Sequence, residues 1–356
     1  SGPAGGVVGA VRSGHQVGFN RIISFDMGGT STDVSRYDNE YEYVFEHHVG
    51  DASVVAPALS IETVAAGGGS ICSANRGRLK VGPESAGAMP GPACYGSGGP
   101  LTLTDVNLLL GRLNEKRFGI PINRLAAESR FSELFQMICE QTDTNPSRQE
   151  ILEGFISIAE ERIADAVRRV SLKQGYDPKE YVLVGFGGAG GQHACGVAQL
   201  LGIKSVLIPE DAGLLSALGI GHALVERFAD RQLLENFQSI ILRLPGIIEE
   251  LILEARENIE KEGVFESRVS RQIVQLRFIG QDQPLSIEWQ SDLDVAFLNR
   301  YEQLYGHRPE VEEIEVVSVR VIVSSRVTGN SSYKSQGQKY LEVCRQERSE
   351  IWTQGR

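Results

Sequence analysis

The residue types best suited to chemistry stand in one string, FDMGGTSTDVS, from Phe25 to Ser35. An apolar run ends in Asp26, and Gly28-Gly29 then permit a tight turn with no Cβ in the way. Backbone N–H groups at such a turn can point at phosphate oxygens, and Thr30 and Ser31 add hydroxyl donors. Asp26 stands where a carboxylate can hold Mg2+, directly or through water. Asp33, across the turn, can orient the loop. Adjacent glycines also suit a plain β-hairpin, but the whole string between two strands favours phosphate binding. No GxxxxGK[ST] is present, and this string is not GxGxxG, so it is neither a P-loop nor a dinucleotide fingerprint.

A second string, GFGGAGGQHA from Gly185 to Ala194, follows a strand pattern and precedes a helical one. Gly187, Gly188, Gly190 and Gly191, with Ala189 among them, leave room for a flat or anionic group at a helix N-terminus. The same glycines also suit close strand–helix packing. His193 falls on the first turn of that helix, as a ligand to a bound group or as a core histidine. Cys94, with Glu84 and Tyr95, lies in a Gly/Pro-rich stretch, where it is either a reactive thiol or a buried structural cysteine. His47 and His48, followed by Asp51, are adjacent on a strand, so they point to opposite faces and do not share one ion.

The elements that must position these residues follow from periodicity. Arg21–Asp26, Thr32–Tyr37 and Tyr41–Glu46 read as three consecutive antiparallel strands. Residues 50–149 form a loop-rich insertion, because Gly67-Gly68-Gly69, Gly82-Pro83, Pro90-Gly91-Pro92 and Gly98-Gly99-Pro100 interrupt regular elements. Apolar residues from Ile151 to Val170 recur at helical spacing and stop before Gly175. A strand at Tyr181–Phe186, a helix around Gln192–Leu201, a strand at Ser205–Pro209 and a helical run Leu214–Phe228 complete a first domain, residues 1–235. Residues 236–328 read as a smaller α+β module. It has helices at Ile247–Glu262 and Asp292–Tyr305, and strands at Ser270–Gly280, Leu285–Trp289 and Glu315–Ser324. Residues 329–356 read as a polar tail.

Composition narrows the partners. The 356 residues are 41% hydrophobic, enough for a large core, and carry a formal net charge of −11. That sign repels nucleic-acid backbones and anionic membranes, so an anionic ligand must be held by local devices such as backbone N–H groups or a metal. Five scattered cysteines with no CxxC suit neither a zinc knuckle nor a disulfide framework, and point to a reducing cytoplasm. No apolar stretch reaches the roughly 20 residues that span a bilayer.

The loop string resembles the second phosphate motif of the actin/Hsp70/sugar-kinase superfamily. The order β-β-β, insertion, α, β, α, β, α is that of an actin/Hsp70-like (RNase H-like) ATPase subdomain of α/β class. Seven strings in order then resemble the hydantoinase A/oxoprolinase family, most like its 5-oxoprolinases. They are SGPAGGVVGA, FDMGGTSTDVS, TVAAGGGS, VGPESAGAMPGPACYG, LTDVNLLLGRL, GFGGAGGQHACGVAQLLGI and GLLSALGI, between Ser1 and Ile220. The resemblance implies an ATP- and Mg2+-dependent enzyme that phosphorylates the carbonyl oxygen of a cyclic amide such as 5-oxoproline or a hydantoin. It implies catalytic roles for Asp26 and Thr30 and metal handling by Asp26. ATP contacts would come from Gly28, Gly29, Thr30, Ser31, Gly187, Gly188, Ala189, Gly190 and His193.

The family also carries an upstream domain with its own phosphate loop and a hydantoinase B-like portion or subunit. With one loop and an opening at Ser1, this chain is expected to be a piece of a longer protein, open to homo-oligomerisation, with weak nucleotide affinity and no turnover alone. Two alternatives are an ATP-dependent ketone carboxylase of the same family and a non-enzymatic actin-like nucleotide module.

Overall fold

The computed structural model describes residues 2–49, 52–141, 146–172, 175–307 and 313–326. They divide into two compact units, one reaching His222 and the other starting at Ala223. In chain order the first comprises helix α1 (Gly2–Gln16), strands β1 (Arg21–Met27), β2 (Thr32–Asp38), β3 (Tyr43–Val49), β4 (Ala52–Leu59), β5 (Glu62–Val64), β6 (Ser70–Asn75) and β7 (Arg78–Ser85), and helices α2 (Leu103–Leu109), α3 (Arg124–Gln141) and α4 (Arg148–Val170). Strand β8 (Val182–Phe186), helix α5 (Gly187–Leu201), strand β9 (Ser205–Leu207) and helix α6 (Leu215–His222) complete it.

Five strands form the central sheet in the order β5-β2-β1-β8-β9. Strand β2 runs antiparallel to both neighbours, whereas β1, β8 and β9 are parallel. This is the actin-type, RNase H-like arrangement expected from the sequence. Strands β1 and β8 are covered on both faces, which explains their largely apolar sequences. On one face Ile22, Val184 and Phe186 pack with Val7, Ala10 and Val11 of α1 and Leu215 of α6. On the other, Ile23, Phe25 and Leu183 pack with Phe155 and Ile163 of α4 and Val197 of α5. Helix α4 starts at a capping box in which Ser147 and Glu150 bond each other's backbone N–H, and Gly175, with φ +81°, lies beyond its end.

Three expectations need correction. Strand β3 does not join the sheet. Beyond one bridge, Tyr37 to Tyr41, the chain leaves and β3 pairs with β4, while the short β5 takes the outer edge of β2. The stretch 50–149 is less irregular than its glycines suggest, because they fall between elements. Arg76-Gly77, both at positive φ, turn the β6–β7 hairpin, and Gly87, Gly91, Gly96 and Gly98 lie in the loop before α2. The helical run from Leu214 ends at His222, and Glu226–Asn236 is a strand whose residues alternate in burial.

That strand, β10 (Glu226–Asn236), therefore belongs to the second unit, which begins at residue 223 rather than 236. Helices α7 (Phe237–Ile240) and α8 (Leu244–Glu260), strands β11 (Ser267–Phe278) and β12 (Leu285–Glu288), helix α9 (Leu293–Tyr305) and strand β13 (Ile314–Ser325) follow. The sheet β10-β13-β11-β12 is wholly antiparallel. Ile247, Ile248, Leu251, Ala255 and Ile259 form the apolar face of α8 and share a core with Val274, Leu276, Phe297 and Val321. The tail expected from residue 329, and Asp51, lie outside the described residues.

Candidate functional site

Strand β1 ends in Asp26-Met27, and the turn Gly28–Ser31 returns the chain into β2, with Asp26 opposite Asp33 in the ladder. The Gly28 N–H donates to the Ser31 carbonyl across the turn (3.0 Å). A second segment backs the turn. Gly68 N–H donates to the Gly28 carbonyl (3.0 Å) and Gly69 N–H to the Gly29 carbonyl (2.6 Å). Thr104, on the first turn of α2, bonds the Gly68 carbonyl through both its N–H and its hydroxyl, at 2.8 Å each. Gly67 is required by this contact, since a Cβ there would lie 2.7 Å from backbone atoms of Gly29, Thr30 and Ser31. Two of the loop's carbonyls are thereby turned into the protein. The N–H groups of Gly29, Thr30 and Ser31 donate to no acceptor among the described residues, and Gly29 and Thr30 are exposed. Such a run of unspent N–H groups can receive an anion.

The parallel pairing of β1 with β8 sets Asp26 beside Phe186, so α5 begins next to the loop. Gly187 has φ +80°, and a Cβ on it would overlap the Asp26 carboxylate oxygen Oδ1 and the Met27 carbonyl. The glycine run is not a turn preceding the helix, as the sequence suggested. Gly187, Gly188, Ala189, Gly190 and Gly191 are themselves the start of α5. Its N-cap residue, Phe186, offers no side-chain cap, which leaves first-turn N–H groups and the positive end of the helix dipole without a side-chain partner. Gly188 and Gly191 are exposed, and Ala189 is buried. The two glycine-rich strings therefore meet at the C-terminal ends of adjacent parallel strands, where open α/β sheets bind ligands.

Asp26 is the charged group at the junction. Burial pushes its carboxyl up from the ordinary range; the Ser216 hydroxyl opposes this by donating to Oδ2 (3.2 Å), and the nearby Asp33 charge adds to it. Asp33 itself accepts from the Thr63 hydroxyl at 2.6 Å. Among the described residues no cluster of three or more His, Cys, Asp or Glu exists that could hold an ion. The N–H groups suit phosphates, while one carboxylate with hydroxyls nearby suits Mg2+, which is commonly held jointly with nucleotide phosphates and water. Asp26 is the residue that would hold it, with the Thr30 and Ser31 hydroxyls nearby in sequence.

His193 does not join this group. It is completely buried, with Nε2 3.0 Å from the Asn107 amide nitrogen and Nδ1 3.5 Å from Glu160. The same Glu160 oxygen lies 3.6 Å from Arg112, and Gly196 makes room for the carboxylate, since a Cβ there would overlap it. The histidine thus ties α5 to α2 and α4. Cys94 is likewise buried, and its thiol is pushed well up by burial and by the Asp105 charge, so it is not a poised nucleophile. Asp105 organises that loop, accepting from the N–H groups of Ala93, Cys94 and Thr102 and from the Thr102 hydroxyl.

Gly67–Gly69, Thr104, Asp105 and Ser216 carry no role in the sequence reading. The triple glycine was the available signal, because three adjacent residues without Cβ mark a close backbone approach. Nothing in the spacing of Ser216 indicates its contact with Asp26.

Comparison with known proteins gives the family and the fold. The family profile described as Hydantoinase/oxoprolinase matches residues 1–228. The 5-oxoprolinase PfmaA of Pestalotiopsis fici is 43% identical over 313 residues, covering 83% of this chain and 24% of that protein. The ATP-dependent caprolactamase of Pseudomonas jessenii superposes with a TM-score of 0.79 at 28% identity, over 91% of this chain and 49% of that one. A nucleotide-free acetone carboxylase, 24% identical with a TM-score of 0.65 over 92% of this chain and 49% of that one, shares the fold. The chain thus spans between about a quarter and a half of these three proteins. No helix among the described residues is long and apolar enough to cross a membrane. The chain belongs to the hydantoinase/oxoprolinase family.

Proposed function

We propose that this chain is the nucleotide-binding part of an ATP-dependent cyclic-amide hydrolase of the 5-oxoprolinase type. The observation that carries the reading is the convergence, around Asp26, of the unspent N–H groups of Gly29–Ser31 and the uncapped start of α5. Backbone donors fixed in advance hold a phosphate chain without reorganising, as phosphoryl transfer demands. In this reading Gly28, Gly29, Thr30 and Ser31 seat the phosphates and Asp26 holds Mg2+. The exposed Gly188, with open space about it, leaves room for the rest of the nucleotide, while Gly187 and buried Gly190 let α5 start close against β1.

An unstrained amide is a poor electrophile. Transfer of the γ-phosphoryl group to the lactam oxygen, with ADP leaving, turns that oxygen into a leaving group. Water then adds at the carbon, the ring C–N bond breaks as the nitrogen takes a proton and leaves an acyl phosphate, and a second water hydrolyses that acyl phosphate to the carboxylate and inorganic phosphate. This chain contributes phosphate positioning to the first step, and water activation falls to a further portion or subunit. Similarity to an oxoprolinase and a caprolactamase favours a lactam over a ketone, because the likeness to acetone carboxylase concerns the fold.

The test is a titration of the chain with ADP and Mn2+, following free Mn2+ by electron paramagnetic resonance. Nucleotide-dependent capture of Mn2+ that is lost in Asp26→Ala supports the reading. Capture equal in wild type and Asp26→Ala would refute it.

A further inference from the structure

The Asp26 carboxylate has two oxygens in different surroundings. Oδ2 accepts the hydroxyl of Ser216 on α6, whereas Oδ1 faces the space left by the missing Cβ of Gly187, at the start of α5. A carboxylate hinged freely at the end of β1 would present either oxygen. Here one is engaged and the other is directed to the junction of the loop and the helix.

Ser216 reaches Asp26 because α6 and α1 approach to backbone contact. The Ser216 carbonyl lies 2.5 Å from the position of a Cβ on Gly5, and its hydroxyl lies 3.0 Å from that of a Cβ on Gly6. The Leu215 carbonyl lies 2.7 Å from a Cβ on Gly9, and a Cβ on Gly219 would overlap the Gly5 carbonyl. Larger side chains at these positions would lift α6 from α1 and with it the hydroxyl. The glycines of the first string, SGPAGGVVGA, thus act on the site without touching a ligand.

We propose that Ser216 is a positioning residue for the metal-binding carboxylate: it locks Oδ2 of Asp26 and so presents Oδ1 to the cation and nucleotide. This rests on the function proposed above. Hydrogen-bond partners that orient a metal-binding group typically change metal affinity by 10–100-fold when removed. Ser216→Ala deletes one hydroxyl and leaves the backbone contacts of α1 and α6 unaltered.

The experiment is a double-mutant cycle on the full 356-residue chain, with Mn2+ affinity in the presence of ADP as the readout. Ser216→Ala lowers that affinity by about 10-fold or more, and ADP binding without metal is unchanged. In an Asp26→Ala background, Ser216→Ala has no further effect, because the hydroxyl acts through the carboxylate. Wild-type affinity in Ser216→Ala, an equal loss with and without metal, or a loss that persists beside Asp26→Ala each overturns the positioning role. Failure of the wild type to capture Mn2+ with ADP refutes the proposed function first and the positioning role with it.

Discussion

Gly67→Ala isolates the backing of the phosphate loop. The added Cβ would lie 2.7 Å from the carbonyl carbons of Gly29 and Thr30 and from the Ser31 nitrogen. Comfortable carbon contacts begin at about 3.5 Å, so the loop must retreat by roughly 0.8 Å. All three neighbours are main chain, with no rotamer through which to escape. Overpacking of this kind costs about 1–3 kcal/mol, and a misplacement approaching 1 Å in a binding site can cost about 100-fold. Gly29→Ala is the control, because its Cβ meets nothing within 4 Å and its φ is not in the left-handed region. Urea unfolding and the Mn2+–ADP titration should show Gly67→Ala destabilised by about 1–3 kcal/mol and binding about 10–100-fold more weakly. Gly29→Ala should unfold like the wild type. A Gly67→Ala protein that binds and unfolds like the wild type would refute the inward-facing geometry of the loop.

Three further outcomes follow from the same geometry. Burial raises the Asp26 carboxyl, so the folded state holds that proton more tightly than the unfolded chain. Its contribution therefore falls as pH rises from the ordinary carboxylate range through the raised value. Asp26→Asn should remove that decline and be at least as stable as the wild type at pH 7; denaturant midpoints at pH 4 and 7 that show it less stable would count against this. His193→Ala should cost about 1–3 kcal/mol by stranding Asn107 yet leave nucleotide binding intact, and a selective loss of binding would return His193 to the ligand site. Asp105→Ala should strand buried N–H groups of Ala93, Cys94 and Thr102 at about 1–3 kcal/mol each and open Cys94 to thiol reagents. Labelling of Cys94 in the native wild type would contradict its burial.

The central sheet was legible because β1 and β8 are largely apolar and each is followed by glycines. The fold follows from that pattern, and the proposal of a phosphate loop rests on it. Strand β3 was misplaced because a hairpin signal at Asp38-Asn39 fixes a turn, not how long the returning strand stays paired. The boundary at 223 was missed because apolar residues recur after Leu214–Ile220 at Ala223–Val225 and Phe228, and alternation in burial appears only once the strand is paired. His193 was grouped with the glycines by sequence adjacency. On a helix, however, two or three residues turn a side chain to another face, and here that face looks onto Glu160. Ser216 and Asp26 are neighbours through α1, whose glycines reveal a close contact but not its partner.

The backing of the phosphate loop also bears on how the unit becomes native. A glycine hairpin between adjacent strands would ordinarily be an early, local event, formed in microseconds. Here the loop's carbonyls are claimed by Gly68 and Gly69, and Gly68 is fixed in turn by Thr104 at the start of α2. Each of these contacts joins residues tens of positions apart, and such closures are paid in chain entropy before they return any stabilisation. The hairpin can form first, but its anion-binding shape waits for the β6–β7 hairpin and α2 to dock. In the proposed reading, nucleotide binding therefore waits for these contacts and not for the hairpin alone.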